Sequence, residues 1–595
     1  MSDFLFTSRA SSPEALSAAF GTIWLDGAPE ILGFGGEWGR VGATRSPYRG
    51  FDPLETQTHV CAIAGGPILN FRDNDFLSGT DPHAATRALV DRWIKGHMDW
   101  GEDLSGPFAV LIVEKATGEA TCVTDLMMFL PVYRFTDDAN VVFGTHVDAV
   151  ACAAGQSGRF DEVSLLDFVL HFALTYPYTA YREIRQCRPA TVHRLPFPVV
   201  RGRSARWDEH PYWRPTETMP HQRLRDAAHS LRDSVRTDIE RVVASMDRVG
   251  QFLSGGEDSR AVAGMLPDRL HRDAFIFLDQ MNREGRVAAQ AAEAYGATFV
   301  PGFRTPLHYL EILPAASALV GTGHQYIHAH ALGFHGSLGL DAYPAVFGGY
   351  LADSLFKGMY APKHPLNHRH HFLPEIGLSH EPDGAPVRHP LFPADLLEQV
   401  TTRRRSHLAT VREFRPTSAR EWSGLWPMTG RAGIPNIYAN RRLFASYEPF
   451  TGNRAVKLAA EIPTAWKLNR RLFRGAFHPY LAPTRWLPHA DGRLPWFPWW
   501  INVPVQFRHL LQRRISGALG RRTPHEGPWN DWNPIVRSSR WAEAIEGAAS
   551  AAEHLPHLGP TLGRGVLTDS SLGLYQKINL LQACVQVKRG AASMP

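Results

Sequence analysis

Two kinds of apolar pattern divide the chain. Up to about residue 210 the apolar runs are short and closed by turn residues: TQTHVCAIAGG, FAVLIVEKATGEATCVTD and NVVFGTHVDAVAC carry β-branched and aromatic residues interrupted by Gly, Asp and Asn. FAVLIVE and ATCVTD, joined by KATGE, predict a hairpin, so this part reads as an α+β domain rich in antiparallel sheet. The segment from His193 to His221 is rich in Pro and Arg without a period, and is the best candidate linker.

Beyond it the period changes. Leu224, Ala228, Leu231, Val235, Ile239 and Val242 form one helical stripe, after which RVGQFLSGG runs from strand into glycine turn and DSRAVAGML returns to helix. DAFIFLD reads as a buried strand, GRVAAQAAEAYG as a helix closed by Gly296, and TFVPGF as another strand. This alternation predicts a parallel, doubly wound sheet from about 245 to 355, and the pattern beyond 400 is mostly helical. The domains expected are 1–210 and 211–595, in keeping with a length of 595 residues.

Composition narrows the picture a little. Hydrophobic residues make up 44% and charged residues 20%, as in a folded globular chain, and a net charge of +5 over this length points to no nucleic-acid partner. The five cysteines, Cys61, Cys122, Cys152, Cys187 and Cys584, lie far apart with no C-x-x-C pair, which argues against a disulfide framework or a cysteine zinc site and for a reducing, cytoplasmic setting. No run is long and apolar enough to suggest a membrane span, and the N-terminus reads as no signal peptide.

The chemistry is concentrated in Ser254-Gly255-Gly256-Glu257-Asp258-Ser259, between a strand and a helix start. Glycines allow close approach to an anion, and first-turn N–H groups and hydroxyls then face it, as a phosphate cradle requires. Neither G-x-x-x-x-G-K-[ST] nor G-x-G-x-x-G is present. An acid within an anion cradle makes sense with a cation between them, so Asp258 is expected to hold Mg2+. An ordinary glycine-rich strand–helix turn is the alternative.

LSGGEDS resembles the S-G-G-x-D-S loop of the PP-loop ATP pyrophosphatases, and its surroundings resemble the asparagine synthetase branch over about residues 50 to 480. VCAIAGGPILNFRD, the hairpin region and VVFGTHVDAVAC fall in the order of class II glutamine amidotransferase strands. FGGYLADSLFKGMY is similar to the second acidic loop, G-x-G-x-D-E-L-F-x-G-Y, and YEPFTGNRAVKLAAEIP to the R-x-P-F-L-D segment. The resemblance implies a two-domain α/β chain: an N-terminal amidotransferase-like (Ntn-type) sandwich and a C-terminal doubly wound PP-loop domain with extra helices. It also implies adenylation of a carboxylate by ATP, followed by attack of an amine. Leu253, Ser254, Gly255, Gly256, Asp258, Ser259, Phe277 and Gly349 would then bind ATP, with Leu253 and Phe277 on the adenine. Asp258 and Asp353 would carry Mg2+, and Asp353, Arg470 and Lys357 would be catalytic, with Lys467 another candidate for the charge.

Departures from the family pattern shape the expectation further. The chain reads Met1-Ser2 where glutamine-dependent members expose a cysteine, Leu351 replaces the second loop's second glycine, Ser354 stands for its glutamate, and Arg470 for a lysine. These departures favour an amine other than ammonia, and resemblance to lasso-peptide macrolactam cyclases over β-lactam synthetases or an ammonia-dependent asparagine synthetase. The implied partners are a precursor peptide and, with it, a leader peptidase and a leader-binding protein. Trp496, Phe497, Trp499 and Trp500 offer an aromatic chamber for a peptide, or else ordinary packing. A non-catalytic scaffold binding ATP or a peptide is the reading from another class. GTGHQYIHAH and HRHHF could supply zinc ligands but lack acidic partners, and FRHLLQRRISGALGRR reads as a basic, amphipathic helix.

Overall fold

The short apolar runs of the first part pair as two antiparallel sheets. The computed structural model describes residues 3–592 except 10–11, 26, 28, 139, 197–206, 370–372, 379–385, 490–491, 519–526 and 560–568. One sheet runs Arg185–Gln186, Tyr133–Thr136, Val141–Gly144, Phe4–Thr7, Gly39–Thr44, Ile31–Gly36. The other runs Asp208–Pro211, Thr191–Leu195, Ala120–Thr124, Phe108–Glu114, His59–Gly65, Leu54–Glu55. The expected hairpin is present, with Ala109 opposite Thr124 and Val113 opposite Ala120. Its strands are buried on both faces, so both read as continuous apolar runs.

The expected linker is shorter than its composition suggested. His193 belongs to the strand Thr191–Leu195, and Asp208–Pro211 pairs with it antiparallel, Val192 opposite His210. An edge strand reading Asp-Glu-His-Pro carries no apolar signal, and Pro is tolerated at an edge. Residues 197–206 of that segment lie outside the described residues.

The second part holds five parallel strands in the order Thr298–Phe303, His271–Leu278, Arg248–Phe252, Val346–Phe347, Ser446–Tyr447. The helical stripe is realised in Leu224–Val243, with Ala228, Leu231, Val235, Ile239 and Val242 buried. Helix Arg283–Ala294 ends before Gly296, whose φ of +67° suits glycine at a helix end. Strand order reverses between Arg248–Phe252 and Val346–Phe347, and in an open α/β sheet ligands bind beyond the carboxyl ends of strands at such a reversal. The loops that leave these two strands carry Ser254–Ser259 and Gly349–Asp353.

The two domains are joined through a buried interface. Arg442 donates to both carboxylate oxygens of Asp3, at 2.8 and 2.9 Å, each side chain being 1% exposed. Tyr133 Oη meets His324 Nε2 at 2.8 Å, and Tyr48 Oη donates to Ser446 O at 2.7 Å. The last helix, Leu574–Ala592, packs on Glu162–His171 of the first domain and sends Arg589 to Asp148.

Candidate active site

At the end of strand Arg248–Phe252 the chain enters the glycine loop, and helix Glu257–Met265 begins immediately after it. Within the loop, Gly256 N–H donates to Ser254 Oγ at 3.0 Å and Ser254 N–H to Ser259 Oγ at 3.1 Å, so the two expected hydroxyl ligands also hold the loop in shape. Gly255 N–H donates to Glu284 Oε1 at 2.7 Å, a contact from the next strand–helix unit that the sequence did not suggest. Gly256 precedes the first helical residue, and an added Cβ there would stand only 3.0 Å from Ser254 Oγ, so glycine lets the loop close tightly at the helix start.

The second loop arrives against the first. Gly349 packs on the Asp258–Ser259 backbone, where an added Cβ would stand 2.8 Å from Asp258 C. Two residues on, Leu351 adopts φ +72°, so the backbone keeps a left-handed turn at the position where the family motif has glycine. The loop is fixed from below by Glu448, whose Oε2 accepts the Tyr350 N–H at 2.8 Å. Burial pushes the Glu448 carboxyl up to about 7, although the Tyr350 amide and Arg441 favour its charge.

These two loops bring Asp258 and Asp353 to one cation. Lys357 Nζ lies 2.6 Å from Asp258 Oδ1, 2.6 Å from Asp353 Oδ1 and 3.1 Å from Glu257 Oε1. Arg470 Nε meets Glu257 Oε1 at 2.6 Å from a third segment. Of the expected residues, Ser254, Gly255, Gly256, Asp258, Ser259, Gly349, Asp353, Lys357 and Arg470 therefore converge. Burial raises the Asp258 carboxyl to about 7, against the pull of Lys357 and with the push of Asp353 and Glu257. Burial opposes charge on Lys357, but the three carboxylates outweigh it and keep the ammonium protonated. Glu257 is buried too, yet Arg470 and Lys357 hold it well below the usual carboxylate range.

A Mg2+ ion fits this donor set. Mg2+ is bound by one or two carboxylates together with substrate phosphates; Asp258 and Asp353 both pair with the Lys357 ammonium, so the two carboxylates stand close enough to share a cation, and Mg2+ would bind beside Lys357 rather than at its nitrogen. Among the described residues no group of three or more His, Cys, Asp or Glu side chains makes a metal cage by itself. His324, His328 and His330 lie in a turn and a short 3-10 segment, His324 buried and the other two partly buried, and desolvation pushes all three below their ordinary value; His370 and His371 lie outside the described residues.

Three expectations fall elsewhere. Phe277 stacks on Phe334, centroids 4.4 Å apart, and Leu253 is 1% exposed among Ala263, Ala274 and Ala291; both sit at strand ends, but their side chains serve packing. Lys467 is fully buried against Glu421 at 2.7 Å and does not reach the cleft. Ser354 is buried, its Oγ 3.8 Å from Met359 Sδ.

Beside Lys357 opens a cleft of about 540 Å3 whose walls include Glu257, Asp353, Arg470, Arg474, Phe497 and Trp499. The aromatic segment divides its roles: Phe497 and Trp499 line this cleft, Trp499 and Trp500 are 46% and 61% exposed, and Trp496 stacks on His478 and packs against the core. Arg260, fully buried in the loop's own helix, anchors that segment by donating to Leu487 O and Pro488 O. Sequence could have raised Glu257, a charged residue in the motif's variable position, but not Arg260, whose partners lie more than two hundred residues away.

Comparisons with known proteins bear on this geometry. Residues 227–490 match the family model described as asparagine synthase. A comparison with curated proteins finds no match. A solved structure of the allosteric regulatory enzyme of purine biosynthesis is 12% identical, with a TM-score of 0.25, covering 52% of this chain and 81% of that one. Glutamine phosphoribosylpyrophosphate amidotransferase from B. subtilis, complexed with ADP and GMP, is 11% identical, with a TM-score of 0.24, covering 51% of this chain and 66% of that one. The stretch that matches the asparagine synthase model, residues 227–490, carries both acidic loops and Arg470.

Proposed function

We propose that the chain activates a carboxylate of a peptide as its adenylate and closes it with an amine of the same peptide, forming a macrolactam. The observation that carries this reading is the shared cleft, where Asp353, Lys357 and Arg470 face Phe497 and Trp499. A carboxylate oxygen attacks the α-phosphorus, the bond to the bridging oxygen breaks and pyrophosphate leaves. The amine then attacks the acyl carbon, AMP departs and the amine's proton passes to solvent. Asp258 and Asp353 would hold Mg2+, which when bound supplies charge neutralisation for the leaving pyrophosphate. Lys357 and Arg470 add fixed positive charge where the phosphates gain negative charge.

Ammonia drawn from glutamine does not suit the first domain. Burial pushes all five thiols above their ordinary value, so none of them is a ready thiolate nucleophile. Asp3, at the head of the strand Phe4–Thr7, is sealed against Arg442, and Ser2 lies outside the described residues. The first domain then acts as a scaffold for the second.

The test is incubation with a candidate precursor peptide and MgATP. The reading requires AMP and pyrophosphate, with a peptide product lighter by one water. Turnover of free aspartate with ammonia in place of the peptide would favour the asparagine-forming alternative. Binding of ATP without any AMP would favour a scaffold.

A further inference from the structure

A second cleft, of about 620 Å3, adjoins the first through Asn469, Arg474 and Trp499, which line both. It lies between the first turn of helix Leu224–Val243, the helix Arg471–Phe477 packed on that turn's helix, and the start of helix Trp499–Ala518. Arg225, Arg471, Arg474 and His478 face it together with Trp499 and Trp500, and no aspartate or glutamate lines it. None of these three guanidiniums pairs with a carboxylate among the described residues. Arg223 makes no side-chain cap at the start of Leu224–Val243, so uncapped first-turn amides add to the positive potential; Asp226 lies in that turn but not on the cleft wall.

Clustered like charges repel one another, and a cationic wall between aromatic faces is complementary to an anionic ligand with apolar side groups. Three arginines in a short cleft do not make the long cationic stripe that follows a nucleic-acid backbone. Continuity with the cleft beside Lys357 places any extended ligand within reach of the reacting groups.

We propose that this second cleft binds an acidic, partly apolar peptide segment, the stretch of the substrate that lies beyond the reacting carboxylate. Assignment of the segment to the substrate rests on the ligase reading; binding itself does not. The probe is a fluorescein-labelled octapeptide of alternating Glu and Leu, followed by anisotropy on the full chain, with a Lys-Leu octapeptide and a single-stranded oligonucleotide of equal length as competitors. The Glu-Leu peptide should bind in a salt-sensitive way, and Arg225→Glu combined with Arg471→Glu should weaken it about tenfold or more. Both side chains are exposed, so unfolding temperature and MgATP binding should stay as in the wild type. Equal affinity in the doubly reversed variant, or stronger displacement by the oligonucleotide than by unlabelled Glu-Leu peptide, would overturn the proposal. If the wild type binds the peptide but not MgATP, the ligase reading fails and the acidic-peptide site stands.

Discussion

Gly349 stands against the backbone of Asp258, so close that a methyl group there would lie 2.7 Å from Ser259 N and 2.8 Å from Asp258 C. This contact joins the two acidic loops at the point where the sheet reverses its strand order. Gly349→Ala should force them apart and lower AMP release by about tenfold to a hundredfold, because small displacements of reacting groups carry large rate costs. Circular dichroism should show the fold retained, and turnover equal to the wild type would mean that loop contact does not set the site.

Asp258→Asn and Asp353→Asn should each abolish pyrophosphate release at low Mg2+, because each removes one of the two neighbouring carboxylates that would hold the ion beside Lys357. Lys357→Met removes the cation that they share, leaving three carboxylates to repel one another. That variant should lose activity and bind divalent cation in a changed manner, measurable by calorimetry.

The domain interface should be the most sensitive place for stability. Arg442 and Asp3 are each 1% exposed, and removing one partner leaves a buried charge, so Arg442→Met should cost about 3–5 kcal/mol. Asp3→Asn combined with Arg442→Met should recover a large part of that loss, as read from denaturant midpoints. An additive effect would contradict the coupling.

Acid should loosen the same interface. Burial pushes His146 down to about 4 and His324 to about 3, whereas the unfolded chain protonates histidine near 6.5. The unfolded state therefore binds more protons below pH 6.5, and stability falls as pH drops from there towards 4, by roughly 1.4 kcal/mol per pH unit for each such histidine. For Asp3, burial raises the carboxyl but Arg442 brings it below its ordinary 3.8, so its contribution persists down to that value and is lost only at lower pH. A melting temperature that stays flat between pH 7 and 5 would contradict this.

Leu351 tests packing against backbone strain. Its left-handed backbone costs a non-glycine residue about 1–2 kcal/mol, which Leu351→Gly would relieve. The side chain is 2% exposed, however, and deleting a buried leucine costs about 2–5 kcal/mol. Packing wins, so the variant should be less stable than the wild type despite matching the family's glycine.

Much of this site was legible because its signals are local. The glycine loop, the stripe from Ala228 to Val242 and the buried strand DAFIFLD each declare themselves within a few residues. What the sequence hid depends on distant partners or on very short elements. Ser446–Tyr447 is a strand of two residues, too brief for a period, yet it closes the parallel sheet and positions Glu448 beneath Tyr350. Arg470 was expected as a catalytic charge, but its bond to Glu257 could not be read from sequence. Nor could the left-handed pair Asn469 and Arg470, at φ +54° and +57°, with Asn469 clamped by Glu375 through three hydrogen bonds. Phe277 was correctly placed at a strand end, but sequence could not show that Phe334 would cover its ring.

The central claim is transfer of AMP to a carboxylate, and isotope transfer tests it most directly. A precursor peptide carrying 18O in the side-chain carboxylate is incubated with the full chain and MgATP, and the nucleotide product is read by mass spectrometry. The account predicts AMP containing one 18O and a peptide that has lost one water. ADP, or AMP without the label, would contradict it.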